Sequence, residues 1–452
     1  MGKQNLNWKK LVAIAGLALF LMVSVSRADD IESRIRALEN TLKAQQETIE
    51  KQQKIIEQLK EEIAGLKTRQ EAVVPTEPSG QKSPYSGGLF GGSALLNPNL
   101  SLILNTFGYT SNIRESELGS RGIPGFTAEG IEYHKGMNLE AAELYLFAPV
   151  DPFFNLYATI PATEDGATVE EAYLVTTSLP AGLQVKVGKF RSGFGRLNAQ
   201  HSHVWNFVDA PLAYRAFTGE EGIDEKGIQI TYLPNLPFYM QVGVEAFQGE
   251  NEVLFGKDAS SGLHAFSAFA KASFDVGDNG TILLGPSVIA GRTKTGSIAE
   301  NTEFTGDSTL CDFEFTYKWK PSRWRSFTLQ SEYLWRHQNG ILADLSTPGA
   351  NQLERTQDGL YVQGIYQMGR WAFGTRYDIL NLFKKEYILD GVQQDFGDKP
   401  WRLSGQIEFN PSEFSRIRLQ YNWDKSGPDN RTNNEWLLQF TMGIGAHAAH
   451  TF

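Results

Sequence analysis

From about residue 99 onward the apolar residues fall on every second position, in runs separated alternately by long and very short connections. Cys311, Phe313, Phe315, Tyr317 and Trp319 alternate with Asp312, Glu314, Thr316, Lys318 and Lys320. Ile417, Leu419, Tyr421 and Trp423 alternate with Arg416, Arg418, Gln420 and Asn422, and Met240, Val242, Val244 and Ala246 with Gln241, Gly243 and Glu245. Such a strand offers one face to an apolar medium and the other to water. Sixteen segments of this kind begin near residues 100, 137, 153, 168, 182, 227, 238, 263, 281, 309, 326, 358, 371, 400, 415 and 435. The connections are long from Ser111 to Gly136 and from Gly195 to Lys226. They are tight at Val150-Asp151-Pro152, Pro234-Asn235-Leu236-Pro237, Lys320-Pro321-Ser322-Arg323, Met368-Gly369-Arg370 and Asn410-Pro411-Ser412. An even number of antiparallel strands with short turns on one side and long loops on the other is the plan of a 16-stranded outer-membrane β-barrel, expected over residues 99–452.

Composition agrees with this plan. A hydrophobic fraction of 41% looks soluble, but a transmembrane strand turns only every second residue to lipid, so its hydropathy averages out. A secreted all-β domain is the competing fold. It would bury its apolar faces in a shared core and has little use for Trp319, Trp335, Trp371, Trp401, Trp423 and Trp436 near strand ends, where tryptophan forms interfacial girdles. Cys311 is the only cysteine, so there is neither a disulfide nor a thiolate metal cluster, and it reads as a small apolar filler.

The first 28 residues read as a signal peptide: Lys3, Lys9 and Lys10, an apolar run from Leu11 to Val25, then Ser26-Arg27-Ala28 as the cleavage site. The run is short for a spanning helix, and a lipoprotein is excluded because no cysteine lies near the site. Cleavage leaves 38 basic against 52 acidic residues, a charge of about −14, which excludes nucleic acid as a partner.

Residues 29–70 read as a coiled coil. Ile35, Leu42, Ile49, Ile56 and Ile63 occupy position a and Ile31, Leu38, Leu59 and Leu66 position d, with Gln45 and Gln52 as polar exceptions at d. Arg34 against Glu39 and Glu62 against Lys67 suit a parallel pairing of identical chains. At ~1.5 Å per residue the rod would be about 60 Å long. Residues 71–98, with Pro75, Pro78, Pro84 and two Gly-Gly pairs, read as a linker. An even strand count returns the end of the barrel to the side where the chain enters, which is the periplasmic side of the coil.

Three resemblances extend this reading. Leu438, Phe440, Met442, Ile444, Ala446, Ala448, His450 and Phe452 share one parity, and this resembles the C-terminal insertion signal of bacterial outer-membrane barrels, with His450 departing from it. That resemblance implies outer-membrane lipid, lipopolysaccharide and the barrel assembly machinery as partners in a Gram-negative envelope. Gly188-Lys189-Phe190-Arg191 and Phe194-Gly195 resemble the corresponding segment of the phosphate-selective porins of the O/P type. The resemblance implies a porin, but phosphate is not carried over. The water-facing positions mix Lys271, Lys318, Lys320, Arg336, Arg376, Arg402, Arg416 and Arg418 with Glu143, Glu245, Asp312, Glu314, Glu332, Asp378, Glu408 and Asp424. An N-terminal coil resembles that of certain sugar and general porins, which implies a homotrimer rather than a dimer.

Sixteen strands enclose a water-filled lumen. In general porins the third outer loop folds inward, and the resemblance implies the same for the connection after Gly195. Expected constriction residues are Lys186, Lys189, Arg191, Arg196, His201, His203 and Arg215, with only Asp209 against them, opposed by Glu220 and Glu221 and by Asp224 and Glu225 behind them. Facing patches of opposite sign would set a transverse field across the pore. The expected function is passive diffusion of small hydrophilic solutes or ions, with anions as candidates.

His201 and His203 lie on one side of an extended segment, but two ligands are too few for a closed metal site even with His134, Glu220 or Glu221 as candidates, so no metal or cofactor is assigned. No Gly-x-Ser-x-Gly elbow appears, and Ser202 between two histidines does not make a catalytic triad, so no enzymatic activity is expected. An energy-coupled receptor needs a longer chain and a plug domain. The remaining alternative is an envelope spacer or adhesin whose coil grips peptidoglycan or a partner while the barrel anchors it.

Overall fold

A computed structural model describes residues 98–131, 133–256, 262–296, 302–346 and 349–445. The expected signal peptide, coiled coil, linker (Pro98 apart) and terminal Phe452 lie outside the described residues. The first eight barrel strands are β1 (Asn99–Ser111), β2 (Gly136–Pro149), β3 (Phe154–Thr163), β4 (Glu171–Thr176), β5 (Leu183–Arg191), β6 (Asp224–Tyr232), β7 (Tyr239–Phe247) and β8 (Ala265–Val276). The second eight are β9 (Gly280–Gly296), β10 (Thr302–Ser322), β11 (Arg325–Asp344), β12 (Ala350–Met368), β13 (Trp371–Leu389), β14 (Trp401–Ser412), β15 (Ser415–Asp424) and β16 (Asn433–Gly445). Each pairs antiparallel with its neighbours. The 16-strand barrel closes where β1 pairs with β16, from Ser101 opposite Gly445 to Ser111 opposite Glu435. Closure removes both sheet edges, as lipid requires. Two-residue ribbons at Gly166–Ala167 and Val392–Gln393 extend hairpins on the long-loop side.

The polarity is inverted relative to a water-soluble domain. Phe313 is 49% exposed while its neighbour Asp312 is 4% exposed, and Leu438 is 40% exposed beside Gln439 at 1%. Apolar side chains form the outer belt and polar ones the interior. Among the described residues no helix is long and apolar enough to cross a membrane.

The structure lengthens what alternation located. β10 begins at Thr302 and β12 at Ala350, several residues before their apolar alternation starts, because hydrogen bonding continues beyond the belt. Phe304, Leu342, Leu353 and Tyr387 pack together in this extension. At the short turns β10 and β14 run on to Ser322 and Ser412. Their register shifts fall between Trp319 and Ser322 and between Phe409 and Ser412. Pro321 and Pro411 sit inside those shifts, having no N–H for the ladder.

Candidate functional site

The connection between β5 and β6, residues 192–223, lies inside the barrel and satisfies its backbone on inward-facing wall side chains, as buried peptide groups must. It leaves β5 at a point that needs glycine twice. Gly188 has φ +140°, and a Cβ there would lie 2.2 Å from the Ala172 carbonyl oxygen. Gly195 has φ +60°, and a Cβ would lie 2.5 Å from Glu332 Oε2. Between them Phe190 and Phe194 are buried in the cluster that includes Phe247. The motif Gly-Lys-Phe-Arg…Phe-Gly is thus the hinge that turns the chain inward.

From there the loop crosses the lumen. Ser192 and Gly193 bond Glu245 on β7, and Gly195 N donates to Ser287 Oγ on β9 at 3.1 Å. The amides of Arg196 and Leu197 both donate to Glu332 on β11 at 3.0 Å. The chain then returns to the opposite wall, where Ser202 Oγ donates to Glu140 Oε1 at 2.6 Å and His201 Nε2 meets Glu171 Oε2 at 2.9 Å. It then runs along the wall to β15, where Arg416 donates to the His203 carbonyl and Arg418 to the Trp205 carbonyl at 2.9 Å.

At Asp209 the loop meets a set of arginines. Asp209 accepts from Arg376 Nη2 at 2.6 Å and Arg402 Nη1 at 2.9 Å, and from Gln420 and Asn422 at 2.7 and 2.8 Å. Burial alone would raise its pKa, but the two guanidiniums outweigh burial and hold the carboxyl well below its usual range. Helix α1 (Leu212–Thr218) follows, its first amide bonded to Asp378 Oδ1 at 3.0 Å. Near its end Arg336 Nη1 donates to the Ala216 carbonyl at 3.3 Å, with the guanidinium 4.9 Å from the Phe217 ring. The first long connection, 112–135, also enters: Phe126 packs edge-on to Phe217, and Arg355 and Gln357 bond the Gly125 carbonyl.

On the β2–β4 wall His201 stands among carboxylates. Its Nδ1 is 3.4 Å from Glu170 Oε2 and 3.8 Å from Glu143 Oε2, and His203 Nδ1 is 3.2 Å from that same Glu143 oxygen. Burial would depress the His201 pKa, but its hydrogen bonds to Glu170 and Glu171 outweigh it and push the imidazole up to about 10. For Glu170 burial is likewise outweighed, by Arg191 and His201, which hold it well below its usual range.

The expected constriction residues divide into two groups. Lys189, Arg215, Glu220 and Glu221 face a cavity of about 360 Å³ on the long-loop side. Lys186, Arg196, His201 and His203 face one of about 470 Å³ on the short-turn side. Arg191 and Glu143 border both. Lys189 pairs with Asp224 at 3.2 Å and Arg191 with Glu170, so these charges meet carboxylates at close range. Asp224 and Glu225 begin β6 and are not loop residues. His134 is exposed and 3.4 Å from Glu115.

Sequence alternation missed Glu140, Glu170 and Glu171. Glu140 and Glu143 are three apart and should point to opposite faces. A register shift between Asn105 and Thr106 of β1 leaves Glu140 as the extra residue of β2, and this bulge turns both carboxylates inward. Glu170 precedes β4 and Glu171 opens it, before strict alternation begins. The adjacent Glu-Glu pair was the only available signal.

No family model matches the sequence. Among solved structures the barrel is similar to the outer membrane channel DcaP of Acinetobacter baumannii, with a TM-score of 0.50 and 14% identity over 79% of this chain and 100% of that one, a likeness of fold. An anion-selective porin from Comamonas acidovorans gives a TM-score of 0.48 and 9% identity over 77% of this chain and 99% of that one. A protein of Aquifex aeolicus (strain VF5), described as uncharacterized, is 41% identical over 397 residues, 82% of each chain. Identity of that extent places the present chain in the family of the Aquifex aeolicus protein, to which it belongs.

Proposed function

We propose that the protein is an outer-membrane porin: a passive, non-enzymatic pore for small hydrophilic solutes and ions, constricted by the loop 192–223. The observation that carries this reading is the closed 16-strand barrel with an apolar outer belt and a lumen lined by charged and amide side chains. A barrel built only as an anchor has no need of a polar interior wide enough to hold a folded loop and two cavities. The fold shared with a channel protein supports the same reading. In it the coil of residues 29–70 stands in the periplasm and holds a homotrimer. An anion preference would rest on Lys186 and Arg196, since Lys189 and Arg191 face carboxylates at close range.

The test is reconstitution of the full chain in planar bilayers. Stepwise ohmic conductance with a defined reversal potential in a salt gradient is expected. Bilayers that stay closed at high protein load would overturn the reading in favour of the envelope spacer or adhesin.

A further inference from the structure

We infer that His201, Glu143 and Glu170 form a binding site for a divalent transition ion of the zinc class that staples the lumenal loop to the β2–β4 wall.

The geometry carries the inference. One ligand atom from each of His201, Glu143 and Glu170 lies within 4.8 Å of the other two. Zinc bound tetrahedrally at 2.0–2.1 Å requires ligand atoms roughly 3.3 Å apart. The contacts are 3.4 Å from His201 to Glu170 and 3.8 Å from His201 to Glu143, so small rotations of the side chains would centre an ion, with water completing the tetrahedron. Mixed imidazole and carboxylate ligands suit zinc better than the all-oxygen cations calcium and magnesium.

The surroundings are those of a built site. The other nitrogen of His201 is held by Glu171 Oε2 at 2.9 Å, the carboxylate–histidine arrangement that orients metal-binding imidazoles. The second oxygen of Glu171 accepts from the Arg191 amide at 2.8 Å, and that of Glu170 from Arg191 Nε at 3.0 Å. Each of these carboxylates is thus anchored by one oxygen and directed towards the cluster by the other. Glu140, Glu143, Glu170 and Glu171 converge here, and a bound ion would take the place of the proton between His201 Nδ1 and Glu170 Oε2. Glu143 borders both cavities, which gives an ion from either side a path to the ligands.

The ligands come from three separate parts of the chain: β2, the approach to β4, and the lumenal loop. An ion would therefore bind only the folded barrel with its loop docked.

The test uses the full chain, folded in detergent and freed of metal by a chelator, with zinc titrated by calorimetry and cobalt as a spectroscopic probe. One ion per chain is expected, with X-ray absorption giving nitrogen and oxygen neighbours at about 2.0–2.1 Å. Glu171→Gln, which leaves every proposed ligand in place, should weaken binding about 10- to 100-fold. His201→Gln should abolish the four-coordinate cobalt spectrum, whereas H134A should bind as the parent does. Wild-type protein that takes up no zinc, or zinc bound equally well by His201→Gln, would overturn the inference. Because the parent protein is read directly, a variant that fails to fold does not decide the outcome. The binding assay also stands apart from conductance, so the site and the pore fail or survive independently.

Discussion

The lumenal loop is held by two walls of opposite character. On β13–β15 the barrel supplies guanidiniums and amides, and the loop supplies Asp209. On β2–β4 the barrel supplies Glu140, Glu143 and Glu171, with Glu170 just ahead of β4, and the loop supplies His201 and His203. The arginine wall is a network of ion pairs. Arg376 and Arg402 share Asp209 and also contact Asp378, while Arg418 pairs with Glu408 at 2.7 Å. Guanidiniums keep their charge at any ordinary pH, and their planar forks are matched in direction by the oxygens they meet. The carboxylate wall is compensated by Arg191 and by imidazoles, whose ring nitrogens can also serve as metal ligands. One wall anchors the loop, and the other holds it through a replaceable cation.

The largest effect should come from removing the loop's contribution to the anchor. Asp209→Ala leaves two buried guanidiniums short of their shared carboxylate, and breaking a buried ion pair from one side costs about 3–5 kcal/mol. The barrel ladder does not involve Asp209, so the cost should appear as release of the loop. Hydrogen exchange of residues 205–212 should accelerate steeply while the strands remain protected. Unchanged protection would mean that α1 and the phenylalanine cluster hold the loop unaided.

A smaller effect should follow loss of the fixed cation on the other wall. Arg191→Ala removes the bonds to Glu170 and to the Glu221 carbonyl at 2.8 Å, but Glu170 keeps His201 as a partner at 3.4 Å, so the net cost should be about 1.5–3 kcal/mol. Faster exchange around residues 199–203, with 205–212 unaffected, would show that the walls act separately. Equal loosening of both segments would show one cooperative unit.

Acidification should do least. The Asp209 carboxyl is depressed in the folded protein, so its contribution is complete above the ordinary carboxylate pKa of about 3.9 and is lost only as pH falls through the lower folded value. Protection of residues 205–212 should therefore be the same at about pH 4 as at neutrality, once exchange rates are corrected for pH. Loss of protection at pH 4 would contradict the two-guanidinium anchor.

Much of the barrel was legible in the chain itself because a membrane strand must obey period two along its whole length. Fourteen of the strand starts read from alternation lie within about three residues of those observed, and the exceptions, β10 and β12, begin with polar extensions where no alternation is required. The inward direction of Glu143, Glu245, Asp312, Arg376 and Arg418 followed from the same parity. The entry to the lumenal loop was visible as Gly188, Phe194 and Gly195, because their backbone and packing demands are local.

What the loop meets was decided only by the tertiary structure. Asp209 lies 167 residues from Arg376 and 193 from Arg402, and closure of β1 on β16 brings such positions onto one circumference. Alternation assigns a face to each residue but not a height or a bearing within the barrel. A single bulge at Glu140 is enough to reverse the face it assigns. The chain alone therefore determined the wall and, outside the bulge and the strand ends, which side chains look inward. Strand register and closure determined that Asp209 would be enclosed by arginines and His201 by glutamates.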